Sequence, residues 1–202
     1  MGRLREERVV LAKARQDYEL VIDCTGALQP EREGEGLLPN EQGAGPPFSF
    51  VPWQFSKGEC LNVRIDGLVP DVVLNRRHWI LPTGAGRAKV GATHLPARRD
   101  TNLTPEARRE LEASVVAMSR GPYEVMEQES GVRTYLADKK PVVGRHPVDP
   151  RLGVVNGLGA KGALFAPALA RQWVRHLTEG APFDPELDVA RWWRVKGPRS
   201  PQ

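Results

Sequence analysis

Cysteine is scarce: Cys24 and Cys60 are the only two in 202 residues. Two thiols make neither a disulfide framework nor a zinc ligand set, so buried, reduced side chains are expected. Histidine is nearly as sparse, and His78, His94, His146 and His176 fall at no metal-ligand spacing, so no metal site is expected. No apolar run reaches the ~18 to 20 residues that a membrane span requires. The charged start Met1-Gly2-Arg3-Leu4-Arg5-Glu6-Glu7-Arg8 has no apolar stretch behind it, so a cytoplasmic protein without membrane contact is expected. Neither sign of charge dominates. With 29 Lys and Arg against 25 Asp and Glu, the net charge is +4. Arg76-Arg77 and Arg98-Arg99 are too short to be nucleic-acid patches, and no such partner is expected.

What is present is an ordinary globular composition, 40% hydrophobic and 27% charged, at a length that allows one sizeable core or two small domains. Residues 8–12 and 18–23 read as short strands, the second running into the small residues Cys24-Thr25-Gly26-Ala27. From Gln29 to Pro47 glycine, proline and glutamate replace any periodicity, which predicts a surface loop. Lys57 to Thr93 reads as an antiparallel meander, with Thr83-Gly84-Ala85-Gly86 as a hairpin turn. Thr104-Pro105 opens a helix that carries Leu111, Val115 and Met118 on one side. Two further strands are predicted over 123–128 and 131–135, and another at Pro141–Gly144 before the turn at Asp149-Pro150. Trp192-Trp193 reads as an anchor that packs the tail back.

The stretch that organises the rest is Asn156-Gly157-Leu158-Gly159-Ala160-Lys161-Gly162, between the apolar strand at 152–156 and a helix from about Lys161 to Leu177. A tight glycine turn at a helix N-terminus leaves main-chain N–H groups unpaired, with the positive end of the dipole behind them. Such a turn receives anions, and glycines let a planar or phosphorylated ligand come close to the backbone. A glycine-rich turn with only a packing role remains equally open at this point.

Asp23-Cys24-Thr25-Gly26-Ala27, Lys57-Gly58-Glu59-Cys60-Leu61, Val90-Gly91-Ala92-Thr93, Gly131-Val132-Arg133, Asp138 to Pro147 and the glycine turn occur in an order that resembles the D-amino-acid oxidase-like, FAD-dependent oxidoreductases, glycine oxidase more than sarcosine oxidase. The resemblance covers residues 20 to 178 and lies in the series, since each piece alone is weak. It implies an α+β and α/β architecture: a partial FAD-binding α/β domain (1–28 and 150–180) and an antiparallel-sheet substrate domain with one packed helix (57–149). Residues 29–56 would be loop or linker, and 181–202 a tail. The implied activity is amine or amino-acid oxidation, with hydride passing from the carbon next to nitrogen to flavin N5.

By the same resemblance, Gly157, Leu158, Gly159, Ala160, Lys161 and Gly162 would border the flavin, and Thr25 and Gly26 its phosphate and ribose side. Arg133 would hold a substrate carboxylate, while Trp79 and His78 fall on a strand that lines the substrate cavity in relatives. Two departures matter. No GxGxxG precedes the strand at 19–23, so the chain is expected to be the C-terminal portion of a longer oxidoreductase. A partner chain or a missing N-terminal segment would then supply the dinucleotide-binding unit. Ala160 also stands where the nearest relatives can offer a second arginine. No cysteine stands near Arg133 or the final turn in sequence, which implies non-covalent FAD. A non-catalytic remnant or interaction module that binds no FAD on its own is the alternative.

Overall fold

A computed structural model of the chain describes residues 17–28 and 47–193. The strand predicted at 8–12 and residues 29–46 of the predicted loop lie outside the described residues. In chain order the elements are β1 (Val21–Asp23), β2 (Gln54–Ile65), β3 (Leu74–Asn75), β4 (Trp79–Gly84), β5 (Arg87–Gly91), β6 (Leu95–Pro96), α1 (Pro105–Met118), β7 (Tyr123–Tyr135), β8 (Val142–Arg145), β9 (Leu152–Asn156), α2 (Gly162–Glu179) and α3 (Ala190–Trp193). Among the described residues no helix is long and apolar enough to cross a membrane.

The chain divides into two compact units. One comprises the described residues through Gln54 and those from Thr134 onward; the other is Phe55–Arg133. The boundary expected at 149/150 therefore falls at 133/134. The reason is a shared sheet: β8 forms an antiparallel hairpin with β9, and β1, from far earlier in the chain, runs parallel on the other side of β9, giving the order β1-β9-β8.

This three-stranded sheet is apolar on both faces, as a strand buried from two sides must be. Val21, Val142, Leu152 and Val154 pack with Phe48, Phe50, Leu136 and Val189. Their neighbours Ile22, Val143 and Val155 pack with Leu169, Trp173 and Phe183. Trp173 of α2 lies so close to β9 that a Cβ at Gly153 would stand 2.5 Å from its ring. The tail packs back as predicted, with Trp193 edge-on to Phe50 at 5.0 Å between ring centres.

The second unit is a six-stranded antiparallel sheet, β3-β4-β5-β2-β6 with β7 also on β2, covered on one face by α1. Leu61, Val63, Ile65, Ile80, Ala88 and Val90 meet Leu111 and Val115 of the helix in a fully buried core. Burial of each such Leu, Ile or Val contributes about 1.5–3 kcal/mol. α1 begins as predicted: Thr104 Oγ1 accepts from Ala107 N at 3.3 Å, and Pro105 takes the first helical position. The two strands predicted over 123–128 and 131–135 are one, because pairing to β2 carries the chain through Gly131.

Candidate functional site

Successive residues of a strand face opposite sides of a sheet, and β2 turns that rule into two different surfaces. Its odd residues face α1. Lys57 and Glu59 are fully buried there, with Lys57 Nζ 3.3 Å from Glu59 Oε1 and 3.0 Å from Asp100 Oδ1; the ammonium also donates to Asn102 O. Glu59 accepts from Thr104 N (3.0 Å), Thr104 Oγ1 (2.8 Å) and Gln128 Nε2 (2.7 Å). Burial pushes the Glu59 carboxyl up, but these donors outweigh it and hold the group below the usual carboxylate range. Every charge on this side is matched, and the network ties β2 and β7 to the start of α1.

The even residues line the second face, from buried Gly58 through half-buried Cys60 and Asn62 to exposed Arg64. The end of the Arg133 side chain abuts Gly58: a Cβ there would stand 2.4 Å from both Nη1 and Nη2 and 2.7 Å from Cζ. Its remaining recorded hydrogen bond is a long one, 3.5 Å from Nη1 to Thr93 O. Among the described residues no carboxylate pairs with this guanidinium. Trp79 of β4 leans over Gly91, whose Cβ would stand 3.1 Å from the indole and 2.5 Å from Cys60 Sγ. Burial raises the Cys60 thiol pKa while Lys89 and Arg133 partly counter it, so Cys60 shares the field of both cations although sequence spacing gave no sign of it. Farther along, Asn62 Nδ2 donates to Glu129 Oε1 at 2.7 Å, and Lys89 pairs with Glu129. A cleft of about 510 Å³ lined by Asn62, Thr83, Arg87, Met126 and Glu127 opens toward the β4–β5 hairpin and reaches neither Trp79 nor Arg133.

Of the three residues expected to line a substrate cavity, Trp79 and Arg133 thus share a face. His78 does not join them. Its Nδ1 lies 2.7 Å from Ser114 Oγ and its Nε2 3.4 Å from Glu110 Oε1, both on α1, and it is 5% exposed. Adjacent residues at the head of a strand point to opposite sides, so the expectation that placed both on one surface is corrected for His78.

In the other unit, the C-terminal ends of the parallel strands β1 and β9 lie side by side, where open α/β sheets bind ligands. After β1, Asp23 Oδ1 accepts from Thr25 N (2.9 Å) and Oγ1 (2.7 Å), and Gly26 turns with φ +67° and nothing within 4 Å of a Cβ position. After β9, Asn156 Nδ2 donates to Gly26 O at 2.9 Å and so ties the two turns together. Asn156 Oδ1 accepts from Gly157 N at 2.7 Å, and Leu158 O from Lys161 N at 3.0 Å.

Of the predicted residues of the turn Gly157 is buried, and the rest are half-buried or exposed. Gly157 (φ +77°) is needed for packing, since a Cβ would stand 2.5 Å from Leu136 Cδ1. Gly159 (φ +56°) and Gly162 face more open space. A 3-10 turn, Gly159–Lys161, leads into α2, and neither start has a side-chain cap. Among the described residues the N–H groups of Leu158, Gly159 and Ala160 meet no side-chain acceptor. Ala160 and Lys161 are exposed. A dinucleotide's flavin would meet uncapped amides, a positive helix end and no Cβ at Gly159, so these residues fit such a group.

The family model DAO, described as FAD dependent oxidoreductase, matches residues 3–175. The chain belongs to this family. It is 31% identical over 183 residues to a Rhizobium etli protein named as a thiamine biosynthesis oxidoreductase, ThiO, covering 87% of this chain and 50% of that protein. It is 36% identical over 117 residues to glycine oxidase of Bacillus licheniformis, covering 55% of this chain and 31% of that enzyme. The DAO chain thus spans half or less of the length of these relatives. Among solved structures, glycine oxidase from Geobacillus kaustophilus superposes with a TM-score of 0.59 at 24% identity, over 70% of this chain and 39% of that one. L-proline dehydrogenase from P. horikoshii gives 0.59 at 19% identity, over 72% and 41%. At these identities the superpositions establish the fold: a DAO-type mixture of a small parallel-containing sheet and a larger antiparallel one.

Proposed function

We propose that this DAO-family chain supplies the flavin-contacting turn and the substrate-binding arginine of an amine or amino-acid oxidase or dehydrogenase. A preceding segment or a partner chain would complete it with the dinucleotide-binding unit. The observation that carries this reading is the uncapped glycine turn of residues 157–162, tied through Asn156 to the Thr25-Gly26 turn at the ends of two parallel strands. When bound, FAD would supply an N5 atom that accepts a hydride from the carbon next to the substrate nitrogen.

The protein's own residues then have separate tasks. The amides of Leu158, Gly159 and Ala160, with Lys161, Gly162 and the dipole of α2 behind them, stabilise negative charge placed before the turn by about 1 kcal/mol. Gly157 holds that turn in its left-handed bend. Thr25 and Gly26 border the phosphate and ribose side, and no side chain is assigned a covalent bond to the cofactor. Arg133 offers a planar fork to a carboxylate, two bonds at a time, and has no carboxylate partner of its own among the described residues. Trp79 forms an apolar wall beside it, and the substrate is a small amine or amino acid.

A place for a completing strand is offered by β1: among the described residues it pairs only with β9, so its other edge can accept a further strand. The test is to purify the chain together with the segment encoded upstream, or with a co-expressed partner, and scan for flavin absorbance near ~450 nm. A yellow protein that bleaches anaerobically with glycine or sarcosine supports the proposal. A colourless one leaves the non-catalytic interaction module as the reading.

A further inference from the structure

We infer that Gly58 is the positioning residue for Arg133: its missing side chain makes the room in which the end of the guanidinium rests, and so sets where that group presents itself to a substrate carboxylate. The inference rests on the proposed role of Arg133 and adds to it a second residue that touches no substrate. Both Nη atoms would lie 2.4 Å from a Cβ at position 58, and Cζ 2.7 Å. Both Nη atoms stand nearer than Cζ, so the Nη1–Nη2 end of the guanidinium points at that position and fills the room a side chain would take. A methyl group there cannot be accommodated without pushing that end away, since carbon–nitrogen contacts below 3 Å are repulsive.

The strand itself is held from the other side. Lys57 and Glu59, flanking Gly58, are locked in the buried network with Asp100, Thr104 and Gln128. Gly58 N–H and C=O therefore cannot retreat to relieve a clash, and the arginine must move. Among the described residues a single hydrogen bond, the 3.5 Å contact to Thr93 O, otherwise restrains that side chain. A glycine inside a strand weakens it, and close approach of another group is the usual reason for one. Here the approaching group is a cation without a carboxylate partner among the described residues.

The experiment uses the 202-residue chain and glycolate as the carboxylate probe, with glycolamide as the uncharged control. The Arg133 Nε–Hε resonance, assigned by its loss in Arg133→Lys, is followed during titration of wild type and Gly58→Ala. Glycolate, and not glycolamide, is expected to shift that resonance in wild type. Gly58→Ala is expected to move the resonance before any ligand is added and to weaken glycolate by about tenfold to a hundredfold, the range for a misplacement of about 1 Å. If wild type shows no glycolate shift, the reading of Arg133 as carboxylate site fails. If wild type and Gly58→Ala bind glycolate equally, only the role of Gly58 fails. Should Gly58→Ala not fold, Gly58→Ala/Arg133→Ala decides: recovery of folding shows that the methyl was excluded by the guanidinium, and equal loss overturns the inference.

Discussion

The two faces of β2 are built from alternate residues of one strand and have opposite characters. On the α1 side every charge has found a partner: Lys57 meets Glu59 and Asp100, and Glu59 meets Thr104 and Gln128. On the other side Arg133 lies on a bare glycine with one long hydrogen bond, and Trp79 leans over a second glycine. Groups that satisfy one another add to folding and offer nothing to a ligand. A partly buried cation with no carboxylate partner among the described residues keeps its interaction energy for something that arrives later. The first face holds the unit together, and the second leaves a function open.

That division can be broken most forcefully on the α1 side. Leu111→Ala removes a fully buried side chain at the centre of the helix–sheet core and is expected to cost about 3–4 kcal/mol in urea unfolding. Glu59→Gln is expected to cost about 3 kcal/mol, because Lys57 keeps only Asp100 as a charged partner in a fully buried site. The same carboxylate sets an acid limit. Its folded pKa is depressed, so its stabilisation is present above the unfolded value of about 4.3 and is lost as pH falls through the folded value. Glu59→Gln should therefore flatten the stability-versus-pH curve below about pH 4, measured as unfolding midpoints across that range. Thr104→Ala, which removes the cap of α1 and one donor to Glu59, should cost about 1–2 kcal/mol by the same assay.

Much of this was legible in the sequence, and the failures have a common cause. Thr104-Pro105 announced α1 because capping chemistry is local, and the meander read over Lys57 to Thr93 announced the later part of β2 because strand and turn signals are local. The glycine turn was visible for the same reason. His78 and Trp79 went to opposite faces because neighbours in a strand always do, a rule that adjacency in a cavity-lining motif obscured. Gly58 could be seen as an odd residue in a strand, yet its partner Arg133 comes from another strand far along the chain, and only the fold brings them together. The unit boundary moved to 133/134 because β8 forms a hairpin with β9, and β9 takes β1 from far along the chain as its parallel neighbour, a pairing that no local signal encodes.

On the second face the expected stability effects are the smallest and the binding effects the largest. The direct measurement is therefore a paired one on Arg133→Lys: unfolding free energy in urea and affinity for glycolate, on the same preparation. The account predicts unfolding within about 0.5 kcal/mol of wild type and affinity lower by about tenfold or more. A variant that loses stability while binding glycolate as well as wild type would contradict it, since Arg133 would then belong with the groups that hold the sheet together.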